Sequence, residues 1–217
     1  MDSKRKNNKY IYISLISEIF LLSFNPVGLL AQQNEYADSL FNRLDETNKP
    51  EEKFKIFLLI KDIYQDEDFE KAMQYARLAL MEAQNSDLMK EEAEAYFNIG
   101  YLFEDEEDYN KATENYRKAY DIYSDLDDDK GIADISFNLA DVYKKKGYYQ
   151  LSMEKCLEGI SIYEDLNDSE GMSNVYNCMG SLYKYQDNTA KSIEYYNKSL
   201  ELRKALNDLD GVALCYN

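Results

Sequence analysis

Apolar and polar residues along this chain recur with the period of a helix, and from about residue 88 the pattern matches itself 40 residues later. Ile99-Gly100, Leu139-Ala140 and Met179-Gly180 share one column; Phe103, Tyr143 and Tyr183 a second; Ala112, Ser152 and Ser192 a third. Tyr116, Cys156 and Tyr196 follow, then Ala119, Gly159 and Ser199, then Leu126, Leu166 and Leu206, with Gly131, Gly171 and Gly211 at the junctions. The spacing predicts antiparallel helix pairs over 88–105 and 108–126, 130–146 and 148–166, and 170–186 and 188–206. A less regular pair is predicted over 50–64 and 68–85, with Phe54, Phe57, Leu58 and Ile63 on the first helix and Phe69, Ala72, Ala76 and Ala79 on the second. Tyr64 to Ala72 spans 8 residues where Phe103 to Ala112 spans 9, so one residue is missing from that turn. The alternation that marks strands is absent, and neither Pro26 nor Pro50 falls inside a repeat helix. The expected fold class is all-α: a solenoid of helix pairs over 50–217, in units of about 50–87, 88–129, 130–169 and 170–209, with a fifth starting at 210–217.

Ahead of the array, the pattern changes. Lys4, Arg5, Lys6 and Lys9 precede an apolar run from Ile11 to Phe24, and Leu29-Leu30-Ala31 follows Pro26 and Gly28, which are expected to break any helix. The order of basic, apolar and small residues over 1–31 matches a secretory signal cleaved near Ala31, and places the mature chain in the periplasm or cell envelope. The run is short for a span and contains Glu18, which argues against a permanent anchor, though an uncleaved anchor remains the alternative. Residues 32–49 are read as a capping segment, with Leu40, Phe41 and Leu44 on an amphipathic helix over 36–46 that covers the first unit's open end.

Charge and composition narrow the chemistry. The net charge is −17, from 25 basic and 42 acidic residues, which disfavours nucleic acid as a partner of the repeats and suits a basic or cationic one. There is no histidine, so a Ser-His-Asp arrangement, a Cys-His pair and His-containing zinc sites are excluded. Cys156, Cys178 and Cys215 lack CxxC spacing and read as buried apolar thiols, with a disulfide possible only in an oxidising compartment. No nucleophile–base pair, metal cluster or phosphate loop appears, so no enzyme activity and no cofactor are expected. The acidic run Asp125–Gly131 puts Lys130 where a calcium loop of the EF type needs glycine and Ser136 where it needs glutamate, so it reads as an inter-repeat turn with helix-start carboxylates.

A helix pair cannot bury its apolar face alone, so the small residues Gly100, Ala140 and Gly180, with Ala112, Ser152 and Ser192, are read as close-approach points, and the aromatic columns as filling between pairs. Tyr96, Ile99, Gly100, Phe103, Ala112, Tyr116 and Ala119, and again Tyr176, Met179, Gly180, Tyr183, Ser192, Tyr196 and Ser199, resemble the pattern of the tetratricopeptide repeat family. The third unit departs more, with Ser136, Cys156 and Gly159. The length resembles the longer variant of bacterial regulators and kinesin light chains. The resemblance implies a right-handed superhelix whose first helices line a concave groove for peptides or protein segments. It also resembles the sensory region of bacterial envelope regulators, whose membrane helix and kinase or DNA-binding module would lie past Asn217.

On that reading, the groove is lined by Glu94, Phe97, Asn98, Tyr101 and Asp105 from one unit, Asp134, Phe137, Asn138, Asp141 and Lys145 from the next, and Asn174, Asn177, Ser181 and Tyr185 from the last. Asn98 and Asn138 share a column, where an amide can donate to and accept from an extended peptide backbone, or instead satisfy only its own helix. The family's carboxylate grip needs lysines in the column of Phe97, Phe137 and Asn177, and this chain has none there. Of 21 tyrosines, Tyr116, Tyr143, Tyr183 and Tyr196 are read as core, and Tyr101 and Tyr185 as candidates for ligand contact. Two functions stay open: a non-catalytic, exported peptide- or protein-binding scaffold, and the sensory part of a larger regulator.

Overall fold

A computed structural model describes residues 26–209, 211 and 212, so the proposed signal peptide lies outside it over 1–25, and Cys215 lies outside it too. Among the described residues every regular element is an α-helix: α1 (Pro26–Glu46), α2 (Pro50–Tyr64), α3 (Phe69–Asn85), α4 (Met89–Asp105), α5 (Tyr109–Asp125), α6 (Asp129–Lys145), α7 (Tyr149–Leu166), α8 (Ser169–Tyr185) and α9 (Thr189–Ala205). The chain divides into two units, Met1–Asn48 and Lys49–Asn217.

In the first unit, α1 overturns one expectation. Pro26 and Gly28 were expected to break a helix; the helix Pro26–Glu46 runs through Gly28, while what precedes Pro26 lies outside the described residues. Proline has no N–H to lose at a first helical position, and one glycine lowers helix propensity by only about 1 kcal/mol. No helix among the described residues is long and apolar enough to cross a membrane.

The second unit is a solenoid of antiparallel pairs α2–α3, α4–α5, α6–α7 and α8–α9. The 40-residue period is two periods of 20: left-handed residues stand at Asp87, Glu107, Asp127, Gly147, Asn167, Asp187 and Asn207. After each, the next residue's N–H reaches back to the carbonyl five residues earlier at 2.8 to 3.0 Å, closing a Schellman turn at Leu88, Asp108, Asp128, Tyr148, Asp168, Asn188 and Asp208. Five of those residues then cap the following helix, the side chains of Asp108, Asp128, Asp168, Asn188 and Asp208 accepting the N–H three residues on at 2.8 to 3.2 Å. One residue therefore ends one helix and starts the next. The turn after Tyr64 contains no left-handed residue, which is the residue missing there.

Packing confirms the close-approach points and adds their partners. A Cβ built on Gly100 would lie 2.7 Å from Tyr116 Cδ1, and one on Gly180 2.8 Å from Tyr196 Cδ1. Where Cys156 replaces the tyrosine, Ala140 replaces the glycine. Gly131 and Gly171, in the first turns of α6 and α8, press against the rings of Tyr123 and Tyr163 at the ends of the preceding helices. Ser152 and Ser192 also donate to the carbonyls of Ala140 and Gly180 at 2.6 and 2.9 Å. The apolar clusters bridge neighbouring pairs: Ala112, Tyr116 and Ala119 with Ile135, Leu139 and Val142, then Cys156, Ile160 and Tyr163 with Val175, Met179 and Leu182. Each pair thus buries its apolar face on the next.

Candidate functional site

The first helices of successive units lie side by side, and their sequence-predicted residues separate into two regions. Toward the helix starts lies a cavity of about 330 Å³, lined among others by Phe97, Asp134, Phe137, Asn138 and Asn174. These five were expected on spacing. Other parts of the lining were not: Tyr123 and Tyr163 come from the ends of α5 and α7, and Lys130, Asp168 and Glu170 from the helix starts. Spacing along a single helix face cannot show that the end of one pair reaches over the start of the next. The column of Tyr123 and Tyr163 facing Gly131 and Gly171 is the signal that could have found them.

The polar side chains here are organised by Lys130. Its ammonium donates to Asp134 Oδ1 at 2.8 Å and Asp168 Oδ2 at 2.6 Å, and lies 4.8 Å from the centre of the Tyr163 ring. The Tyr163 hydroxyl donates to the same Asp134 oxygen at 2.7 Å. Burial opposes the Lys130 charge, but the two carboxylates outweigh it and raise its pKa. Burial pushes the Asp168 carboxyl up, while the Gly171 N–H and Lys130 hold it below its ordinary value. Burial, then Asp134, push the Tyr163 hydroxyl up, and burial pushes Tyr123 up, so both stay neutral donors.

The asparagines are partly committed to their own helix. Asn98 and Asn138 each donate their amide to the carbonyl four residues back, Glu94 at 2.8 Å and Asp134 at 2.7 Å. The local reading is therefore correct for the donor half; the Oδ1 atoms receive no hydrogen bond among the described residues. Asn174 accepts from Arg203 at 2.7 Å, where Arg203 stands in the column of Tyr123 and Tyr163. Asn177 has a buried Oδ1 with no partner among the described residues.

The second region, toward the helix ends, is filled by paired charges. Lys145 donates to Glu104 Oε1 at 2.7 Å in the neighbouring unit and lies 3.1 Å from Asp141 Oδ2, while Lys144 pairs with Asp141 as well. The Tyr116 hydroxyl donates to Glu104 Oε2 at 2.7 Å. Burial pushes Glu104 up despite Lys145 and Tyr116; it also opposes the charge on Asp141, which Lys144 and Lys145 nevertheless hold below its ordinary value. Tyr101 and Tyr185 are exposed, at 38% and 61%, and Tyr185 stacks on Tyr149 with ring centres 5.2 Å apart. Glu94 and Asp105 are exposed and Ser181 half-buried, outside the cavity. Tyr116 and Tyr143 are core as expected, whereas Tyr183 and Tyr196 are only half-buried. Cys156 and Cys178 are buried free thiols, and a hydrogen bond with Cys178, with burial, pushes the Cys156 thiol up.

Comparison with known proteins agrees with this architecture. The tetratricopeptide repeat family matches at residues 93–126, 133–166 and 173–206, three segments that start 40 residues apart. No curated protein has a sequence that matches the chain. Among solved structures, BtubC (BKLC) from P. vanneervenii is 18% identical with a TM-score of 0.66, the alignment covering 85% of each chain. Aspartyl phosphate phosphatase F from Bacillus subtilis is 16% identical with a TM-score of 0.74, over 81% of this chain and 46% of that one. A Rap protein complexed with competence and sporulation factor is 19% identical with a TM-score of 0.62, over 85% of this chain and 57% of that one. These likenesses concern the fold, and this chain spans about half of the last two proteins. The repeats matched over 93–206, with the helix pairs and close-approach columns that build them, make this chain a member of the tetratricopeptide repeat family.

Proposed function

We propose that the chain is a non-catalytic scaffold that holds a peptide or an extended protein segment against the first helices of its repeats. The observation that carries this reading is the cavity of about 330 Å³ between consecutive units, which takes five of its lining residues from the face that spacing assigned to a groove. Aromatic walls and fixed hydrogen-bonding groups are what a recognition pocket needs. The Asn98 and Asn138 Oδ1 atoms supply acceptors for a peptide's N–H groups. Replacing Asn98 and Asn138 with alanine is expected to weaken capture from a soluble peptide library by about tenfold, with the circular dichroism of the helices unchanged. Unchanged capture with an intact fold refutes the groove assignment.

Export to the cell envelope is part of the proposal, supported by the order of basic, apolar and small residues over 1–31. Fractionation of cells producing the full chain, with N-terminal sequencing of the product, tests export and cleavage near Ala31. The sensory reading rests on the same groove and the same N-terminus. A gene that continues past Asn217 into a membrane helix with a kinase or DNA-binding module would favour it over the free scaffold.

A further inference from the structure

Unit boundaries repeat a set of helix-start charges, and at one of them glutamate replaces lysine. At the boundary between the second and third units, Lys90 donates to Asp128 at 2.6 Å with Glu91 and Glu94 close by, and position 130 adds a second lysine. At the next, the equivalent residues are Lys130, Glu170, Asp134 and Asp168, because Glu170 stands where lysine stands in the two earlier units. Three carboxylates now share one ammonium. Lys130 is held between Asp134 Oδ1 and Asp168 Oδ2, and the Gly171 N–H donates to Asp168 Oδ1 at 2.9 Å. No hydrogen bond among the described residues reaches Asp134 Oδ2 or the Glu170 carboxylate. The preceding boundary sets two lysines, Lys90 and Lys130, against Glu91, Glu94 and Asp128.

The surplus charge stands at the cavity, and the cavity's apolar lining is aromatic as well as acidic. Phe97 and Phe137, one unit apart in the same column, both line it, with Tyr123 between their helices. A ring face beside carboxylates takes a flat or long cation whose stem is apolar and whose head is charged. A volume of about 330 Å³ accommodates one long side chain of that kind.

We infer that this cavity is a specificity pocket for a basic side chain, arginine or lysine, of a peptide lying on the first helices. The inference rests on the groove reading above and adds the chemical class of its ligand. The stem lies against Phe97 and Phe137, and the cationic head donates to Asp134 Oδ2 and Glu170. Lys130 fixes the positions of Asp134 and Asp168 without neutralising the site.

The test uses the full chain and a soluble library of randomised twelve-residue peptides, with sequencing of the captured fraction. The expected result is enrichment of arginine or lysine at one peptide position. The double variant Asp134→Asn, Glu170→Gln is expected to lose that enrichment by about tenfold while still capturing peptides, because one charge-assisted contact is worth about that factor. The amide oxygen that Asp134→Asn leaves in place still accepts from Tyr163, and thermal unfolding checks that the variant is folded. The control Glu114→Gln, Glu194→Gln removes the same formal charge from exposed side chains that pair with Lys118 and Lys198. Equal loss in that control overturns the inference, since bulk charge would then explain the preference. Capture without basic enrichment in the unaltered chain overturns it while leaving the groove intact. Capture of no peptide at all overturns both.

Discussion

Where a second helix carries a tyrosine, the first helix facing it has no side chain: Gly100 faces Tyr116 and Gly180 faces Tyr196, each within 2.8 Å of a built Cβ. The third unit changes both members together, to Ala140 and Cys156. It does so again where Tyr96 with Lys118 elsewhere becomes Ser136 with Glu158, joined by a hydrogen bond of 3.0 Å. Glu158 also accepts from Tyr120 at 2.5 Å, and that bond, with burial, raises the tyrosine to about 12. Its departures are thus compensated pairs, which conserve volume and hydrogen bonding within the close-packed interior. Glycines in these columns differ in what they tolerate. Gly180→Leu is expected to destabilise by about 1–3 kcal/mol or more through overpacking on Tyr196. Gly159→Ala is expected to stabilise by about 0.5–1 kcal/mol, because a helical glycine gives up backbone entropy and its added Cβ would meet only ordinary contacts, the nearest at 3.5 Å. Urea unfolding of both variants checks the pair; equal effects of one sign would contradict the packing. Sequence columns read all these positions as small, and only the facing side chain separates a required glycine from a tolerated one.

At the scale of the helix, length is set by the turns. From the end of α3 onward each helix is followed by one left-handed residue, and six of these seven positions are not glycine. Asparagine and aspartate adopt that conformation with little strain, whereas glutamate has no short side chain to bond locally. Glu107→Gly is therefore expected to raise stability by about 0.5–1 kcal/mol, and Asn167→Gly by less, as measured by thermal unfolding. The reverse order would show that side-chain identity is immaterial there. Gly147 is the residue type that marks a helix stop in a sequence; the other six are aspartate, glutamate or asparagine, which occur throughout this chain and mark nothing by themselves. The half-period of 20 is a backbone regularity written in varied side chains, and so the 40-residue column comparison passed over it.

For the array as a whole, helix caps and inter-unit ion pairs coincide. Asp128 and Asp168 each cap the first helix of one pair and accept a lysine from the first helix of the pair before it. Lys90 and the Gly131 N–H hold the Asp128 carboxyl below its ordinary value of 3.8, and Gly171 with Lys130 does the same for Asp168 against the effect of burial. A lowered native pKa contributes stability that is present above the unfolded value and is lost as pH falls through the native one. Glu104 is raised by burial and acts in the opposite sense, so its contribution is lost as pH rises. Urea midpoints are expected to change little between neutral and mildly acidic pH and to fall steeply below pH about 4. Asp168→Asn keeps an acceptor for the cap but removes the charge, and should flatten the acid limb. An unchanged limb would show that these caps do not couple the units. Because each pair touches only its neighbours, the loss should propagate along the array rather than stay at one turn.

The repeat period, the helix pairs, the all-α class and the small and aromatic columns were decided by the sequence alone, because stacking imposes the same steric demand on every unit and identical demands leave identical spacings. Five residues of the cavity could be read from the face of a helix, since 3.6-residue periodicity places them together. Tyr123 and Tyr163 could not. The tyrosines reach the site from the ends of α5 and α7, and which side chain leans over which neighbour depends on how the pairs pack. Lys130 and Glu170 lie one turn before Asp134 and Asn174 on the same helices, and Asp168 caps α8. The division of the predicted groove, open beside Phe97 and Phe137 and filled beside Lys145 and Glu104, was likewise a tertiary matter. Charge pairing across units is settled by distances of a few ångströms, and a linear pattern does not contain them.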